Sequence, residues 1–269
     1  MRFTDEQMER YSRHIILPEI GGRGQERLLA ARVLIVGAGG LGSPAALYLA
    51  AAGIGSLTII DFDDVQIDNL QRQIAHATSS VGKPKAISVR DRLSDLNPDV
   101  QVKGITARLA RDNILDLLAE HDAVVDGSDN FPTRYLVNDA CQMTKTPLFT
   151  GAVLRFEGQV TTFKMQGEGP CYRCLFPEPP AAGLIPSCQE AGILGSVVGM
   201  IGTIQATEVL KHFAEIGESL EGTLMLFDAV SMEFRRITVR KTPDCPLCGV
   251  NPRITELVEE GQFCEDSPQ

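Results

Sequence analysis

The sequence predicts an α/β fold built on a mostly parallel sheet, and three observations predict it. Short uncharged runs, Val33-Leu34-Ile35-Val36 and Leu57-Thr58-Ile59-Ile60, with Ala123-Val124-Val125-Asp126 later, read as strands buried on both faces. Helical stretches separate them, the alternation of a βαβ chain. The first run enters Gly37-Ala38-Gly39-Gly40-Leu41-Gly42, a GxGxxG turn made by Gly37, Gly39 and Gly42, and the second ends in Asp61. Strand, glycine turn, helix, strand and acid compose the nucleotide-binding unit of Rossmann-like folds. Glycine permits the tight turn and lets backbone approach a phosphate. The helix N-terminus offers unpaired N–H groups and a positive dipole end to an anion. Asp61, at the carboxyl end of its strand, is placed to accept from ribose hydroxyls. The alternative is a merely structural turn.

Composition bounds the function. With 269 residues, 43% hydrophobic and 22% charged, the chain has the make-up of a soluble globular protein of one large domain or two small ones. A formal net charge of −10 argues against a nucleic-acid partner held by phosphate neutralisation. No apolar run reaches membrane-spanning length, and residues 1–6 lack the apolar core of a signal peptide. A cytoplasmic protein with neither nucleic-acid nor membrane partner is the expectation.

Taken in order, Thr4 and Gln7 form a capping box ahead of a helix through Met8, Tyr11 and Ile15. This N-terminal helical arm precedes the nucleotide-binding unit and carries Arg10-Tyr11-Ser12-Arg13-His14. Residues 21–24, Gly-Gly-Arg-Gly, read as a loop and 25–31 as a short helix. After Asp61 come Asp63, Asp64 and Asp68, then Asn69-Leu70-Gln71-Arg72-Gln73. Gly82-Lys83-Pro84-Lys85 opens a helix to about Leu96, with Pro84 suited to its first turn. Lys85 then lies where a cation is unfavourable. A bound polyphosphate would explain it, and a solvated lysine is the alternative. Strands are expected at 100–106, 123–126 and 147–150, with helices at 112–119 and from near Pro132 to near Lys145. Asp129, just past the 123–126 strand, is either a Mg²⁺ ligand or an N-cap for the next helix, or both. From 151 the alternating pattern at 155–163 predicts a turn and an antiparallel strand, with further strands at 224–227 and 234–239, so the fold gains an antiparallel C-terminal extension. A buried helix is expected at 196–213 and a short one at 254–260.

Seven cysteines, four of them in two CxxC pairs, point to metal or redox chemistry. Cys171, Cys174, Cys245 and Cys248 fit a closed tetrahedral Zn²⁺ site of about one ion per chain; a redox pair or unrelated thiols are the alternatives. Cys188, in the loop before the buried helix, is either a small buried residue or a reactive thiol.

These motifs together resemble the MoeB/ThiF family, bacterial relatives of ubiquitin-activating enzymes. The resemblance runs over roughly 5–250. It rests on Arg10-Tyr11-Ser12-Arg13, the glycine turn, Asp61-Phe62-Asp63, Asn69 to Gln73, Gly82 to Lys85, Asp126-Gly127-Ser128-Asp129-Asn130 and both cysteine pairs. Gly151-Ala152, Glu157-Gly158-Gln159 and Glu190-Ala191-Gly192 are closer to the MoeB branch. The resemblance implies one adenylation domain over 1–250, with a nucleotide-binding half at about 25–150, an antiparallel zinc-bearing half at about 151–250, and a tail at 251–269. It implies that ATP with Mg²⁺ activates the C-terminal Gly-Gly carboxylate of a ubiquitin-like β-grasp sulfur carrier, MoaD-like by preference, as an acyl-adenylate. Thiocarboxylate formation would follow.

By the same resemblance Gly37, Gly39, Gly40, Gly42 and Asp61 cradle the nucleotide, with Asp63 beside them, and Asp61 holds ribose. Asn69, Arg72 and Lys85 bind the phosphates and Asp129 holds Mg²⁺. Arg13 acts in trans across a homodimer, and Cys188 aligns with a sulfur-transfer cysteine of some members. No rhodanese segment follows residue 269, so a separate sulfur donor, a rhodanese or a cysteine desulfurase, is expected. Competing readings are a thiamin or tRNA-thiolation carrier, an NAD-dependent oxidoreductase, a non-catalytic binding module and a tRNA-modifying dehydratase.

Overall fold

The computed structural model describes residues 3–180 and 191–257. Five strands form the parallel part of the sheet: β1 (Arg32–Val36), β2 (Ser56–Ile60), β3 (Gln101–Ile105), β4 (Ala123–Asp126) and β5 (Leu148–Leu154). Three more, β6 (Glu157–Phe163), β7 (Thr223–Asp228) and β8 (Glu233–Thr238), continue it antiparallel. The single eight-stranded sheet has the order β3-β2-β1-β4-β5-β6-β7-β8. Strand order reverses between β1 and β4, the switch point where such sheets open a ligand crevice.

Register aligns the strand ends at that point. Val36 pairs with Ile60 on one side and with Asp126 on the other. The next residues, Gly37, Asp61 and Gly127, therefore stand level at the carboxyl edge.

Alternate residues of each parallel strand feed different cores, as a period of two requires. Val33 and Ile35 face helices α3 (Gly21–Ala30), α4 (Gly42–Ala51), α5 (Lys85–Leu96) and α9 (Gly195–Ala214). Leu34 and Val36 face α6 (Ile114–Ala119), α7 (Phe131–Thr144), α8 (Tyr172–Leu175) and the cysteine pairs. The arm is α1 (Asp5–Arg10), capped by the reciprocal Thr4–Gln7 box, and α2 (Ser12–Ile15). Tyr11 anchors it: the ring is buried against Gly53 just past α4, and its hydroxyl accepts from Asn97 at 2.9 Å.

Three local expectations change. Residues 21–24 are the first turn of α3 rather than a loop, because Gly24 and Gln25 are buried and Gln25 Nε2 donates to the Ala52 carbonyl at 2.8 Å. The fifth strand runs on to Leu154, held by pairing with β6 along its whole length. No helix forms at 254–257, where Arg253 and Ile254 instead donate to the Pro246 carbonyl, and 258–260 lie outside the described residues. No helix among the described residues is long and apolar enough to cross a membrane.

Candidate active site and metal centre

The glycine turn is shaped by contact as well as by conformation. Gly37 has φ +88°, and a Cβ there would lie 2.9 Å from the Gly127 carbonyl oxygen. A Cβ on Gly42 would lie 1.8 Å from the Gly37 carbonyl oxygen. These two are required by packing. Gly39 is different: a Cβ would meet only Gln73 Nε2, at 3.8 Å, so space lies open beside it. The N–H groups of Gly39, Gly40 and Leu41 donate to no protein acceptor among the described residues. The turn delivers them at the start of α4, the arrangement that receives phosphate oxygens.

Asp61 sits beside this turn. Its Oδ2 accepts the Ala38 N–H at 2.7 Å and its Oδ1 the Asp63 N–H at 2.8 Å. Burial pushes its carboxyl above the usual range, opposed by those two N–H donors. Two of its roughly four lone-pair directions stay open for hydroxyl donors.

Lys85 is the first residue of α5 and only 7% exposed. Its Nζ lies 2.8 Å from Asp63 Oδ2, and its backbone N–H donates to the Asp63 carbonyl at 2.9 Å. Asp63 thus supplies the partner that offsets a cation at a helix N-terminus. Arg72 lies against the glycine turn, its Cγ 3.7 Å from the position of a Cβ on Gly40, while its Nη1 donates to the Asp68 carbonyl at 2.9 Å. Asn69 is buried and caps a short 3-10 turn, accepting the Gln66 N–H at 3.1 Å.

At the end of β4, Asp126 is fully buried. It accepts from Ser128 N–H at 3.0 Å, Ser128 Oγ at 2.5 Å and Thr150 Oγ1 at 2.8 Å, with Arg134 Nη1 at 3.8 Å. Arg134 in turn donates to the carbonyls of Ser128 and Gly151 at 3.0 and 2.9 Å. This network fixes the loop carrying Asp129. The cap of α7 is Asn130, which accepts the Thr133 N–H at 2.9 Å, so Asp129 is not the N-cap and is exposed. Sequence reasoning left Asp126, Arg134 and His76 without roles. An acid ending a strand buried on both faces was the available signal for the first, since such a group needs partners.

Arg13 stands apart from these residues. It is exposed on α2, two residues from Tyr11, which packs at the far end of α4 from the glycine turn. Ten residues of α4 span about 15 Å. Cys188 lies outside the described residues.

The two CxxC pairs converge. The four Sγ atoms lie within 4.8 Å of one another, with Cys171 to Cys245 at 3.7 Å and Cys174 to Cys248 at 3.4 Å. A tetrahedral ion with S at about 2.3 Å needs sulfur–sulfur edges of about 3.8 Å, so the cluster fits such an ion. Each close pair joins one knuckle to the other, unlike two separate redox pairs. Hydrogen bonding with Cys171 holds the Cys174 thiol below its ordinary value, while contacts with Cys174, Cys245 and Cys248 push Cys171 up.

The cluster is seated on α7. Tyr172 N–H donates to Asn138 Oδ1 at 2.8 Å, and the Tyr135 hydroxyl donates to the Glu178 carbonyl at 2.8 Å. Arg173 makes a bidentate pair with Asp139 at 2.8 and 2.7 Å.

A cavity of about 610 Å³ opens at the amino ends of the strands, lined by Ala31, Asp122 and Phe149. Its cations Arg27, Lys164 and Lys211 each face a carboxylate, of Glu215, Glu221 and Glu208.

Comparison with known proteins gives the family. The ThiF family profile matches residues 11–247. A Thermus thermophilus protein named sulfur carrier protein adenylyltransferase is 49% identical over 98% of this chain and 99% of its own. The SAMP-activating enzyme E1 of Haloferax volcanii is 51% identical over 90% of this chain and 89% of its own. The pig protein named adenylyltransferase and sulfurtransferase MOCS3 is 48% identical over 98% of this chain, which spans 58% of that longer protein. Among solved structures, E. coli MccB with ATP shares the fold at a TM-score of 0.78 and 22% identity, covering 89% of this chain and 73% of that one. A profile match over nearly the whole chain, joined to relatives of this identity, makes the protein an adenylyltransferase of the ThiF family.

Proposed function

We propose that this adenylyltransferase activates the C-terminal glycine carboxylate of a ubiquitin-like β-grasp sulfur carrier ending in Gly-Gly, a MoaD-like protein of molybdenum cofactor biosynthesis. The supporting observation is the level line of Gly37, Asp61 and Gly127 at the switch point, with Arg72 and Lys85 beside it. In the reaction a carboxylate oxygen of the carrier bonds to the α-phosphorus of ATP. The bond from that phosphorus to the bridging oxygen breaks, and pyrophosphate leaves with the electron pair. Such chemistry needs positioning and charge stabilisation more than covalent help from the protein.

In this reading the free N–H groups of the glycine turn meet phosphate oxygens and Asp61 accepts from ribose. Arg72, Lys85 and Asn69 hold the phosphates, with Asp63 keeping Lys85 in place until they arrive. Asp129 would hold Mg²⁺, which supplies charge neutralisation for the phosphates. The cysteine cluster would hold Zn²⁺ as a closed structural site. Arg13 would serve the crevice of a second subunit: it stands a helix length from its own, and Met8, Ile16 and Leu17 are exposed around it. Cys188 is the candidate for sulfur transfer from a separate donor, a rhodanese or cysteine desulfurase. A second reading is the same chemistry on a ThiS-like or tRNA-thiolation carrier; the Haloferax volcanii relative, named for activating SAMP, shows that relatives of this identity are named for other carriers.

The test is ATP–pyrophosphate exchange with Mg²⁺, with and without candidate carriers. Exchange that appears only with one carrier supports the reading and names the carrier. Lys85→Ala and Arg72→Ala are expected to lower it by roughly a hundredfold or more while leaving the fold intact. Undiminished exchange in both variants refutes the assigned roles.

A further inference from the structure

His76 follows the Asn69–Gln73 segment and is 8% exposed, with both ring nitrogens in contact. Nε2 lies 3.0 Å from the Ala38 carbonyl oxygen and Nδ1 2.9 Å from Ser88 Oγ. A carbonyl only accepts, so Nε2 carries the proton and Nδ1 of the neutral ring accepts the Ser88 hydroxyl. Burial holds the imidazole below its ordinary pKa, which keeps that neutral form.

The Ala38 residue is gripped from both sides. Asp61 takes its N–H, and His76, with Ser43 Oγ at 3.3 Å, takes its carbonyl. The carbonyl of Ala38 and the N–H of Gly39 belong to one planar trans peptide, so they point in opposite directions. Drawing the carbonyl toward His76 turns the Gly39 N–H away from it.

The contacts also close a ring. Ser88 stands on the first turns of α5, which begins at Lys85. Lys85 pairs with Asp63, and Asp63 donates to Asp61, which accepts from Ala38. The glycine turn and the phosphate-side lysine are thereby held in one frame, with His76 as the tie between them.

We propose that His76 is a positioning residue for nucleotide binding: it clamps the Ala38 carbonyl so that the Gly39 N–H meets a phosphate oxygen, and through Ser88 it ties that clamp to the helix of Lys85. The proposal rests on the reading that ATP occupies the crevice.

The test compares wild type with His76→Leu, His76→Gln and Ser88→Ala. Titration calorimetry gives the Kd for Mg-ATP, pyrophosphate exchange gives KM and kcat, and thermal melts give stability. His76→Leu is expected to weaken ATP binding about tenfold, the equivalent of one well-formed hydrogen bond, with KM raised and kcat at saturating ATP within about twofold. His76→Gln, which keeps an N–H donor, should recover most of that loss whatever its melting temperature. Ser88→Ala should lose about threefold. A folded His76→Leu protein with wild-type Kd and KM overturns the proposal. If that variant does not fold, wild-type affinity in both His76→Gln and Ser88→Ala overturns it, and weakened binding in Ser88→Ala supports it. A wild-type protein that binds ATP but catalyses no exchange refutes the adenylation reading while the Kd values still judge the clamp. A wild-type protein that binds no ATP overturns both.

Discussion

Replacing Asp139 by Asn tests what seats the four-cysteine cluster. Asp139, on α7, and Arg173, between the two cysteines of the first knuckle, have side chains 3% and 4% exposed. The guanidinium gives both oxygens of the carboxylate one hydrogen bond each, at 2.8 and 2.7 Å, and spends a third N–H on the Pro177 carbonyl at 3.1 Å. Asn keeps the shape but removes the charge of this carboxylate and turns one acceptor into a donor facing another donor. Breaking such a pair from one side costs about 3–5 kcal/mol. At about 2–4 °C per kcal/mol for chains of this size class, the melting temperature should fall by roughly 6–20 °C, read by circular dichroism at fixed metal content. Because the pair lies inside the knuckle, metal should also pass faster to a chromogenic chelator. The double variant Asp139→Leu with Arg173→Met removes both charges and should recover most of the loss, since an apolar pair carries no desolvation penalty. A melting temperature for Asp139→Asn within 1–2 °C of wild type, roughly the scatter of a neutral surface change, would refute the reasoning.

Three further outcomes follow from the geometry. Gly42→Ala forces a Cβ to 1.8 Å from the Gly37 carbonyl and should cost about 3 kcal/mol or more, whereas Gly39→Ala, with 3.8 Å of clearance, should keep wild-type stability and weaken ATP binding; equal melting temperatures for the two would contradict the contact argument. Protein purified without chelator should hold about one zinc per chain by elemental analysis, and stripping it should lower the melting temperature; a metal-free protein of unchanged stability would remove that role from the cysteines. Burial lowers the pKa of His76, His121 and His212, so below about 6.5 the unfolded chain binds protons that the folded chain does not. Stability should therefore fall as pH drops from 7.5 toward 5, by up to about 1.4 kcal/mol per unit for each histidine. The depressed Asp91 and Asp122 add their loss only at more acid pH. A flat or rising melting profile between pH 7.5 and 5.5 would contradict this.

The parts legible in the sequence are those whose cause is local. Val33 to Val36 declares a strand because every residue is apolar, and Gly37 to Gly42 declares a turn because other residues do not fit it. The frame beneath the crevice has no local cause. The His76–Ala38 contact joins residues 38 apart, and Arg173–Asp139 joins residues 34 apart. Each exists only once the sheet has brought its helices together, and a lone histidine or an arginine inside a CxxC carries no periodic signal. The first turn of α3 misled for the opposite reason. Its glycines have the composition of a loop, and burial of Gly24 and Gln25 against the rest of the fold overrides that propensity.

The cap of α7 turns on a single residue of register. A capping side chain accepts from the N–H three residues ahead, and here that donor is Thr133. Asn130 stands at the required spacing and Asp129 one residue outside it. Had the helix begun one residue earlier, the carboxylate would have been consumed by the backbone, and the amide next to it left idle. With Pro132 inside the first turn and Phe131 opening the helix, the amide does the capping. A neutral Asn satisfies the helix end, and the charged neighbour stays exposed at the carboxyl edge. If Asp129 holds Mg²⁺ as proposed, the neutral cap takes no charge from it, and the network of Asp126 and Arg134 below already fixes the loop that carries it.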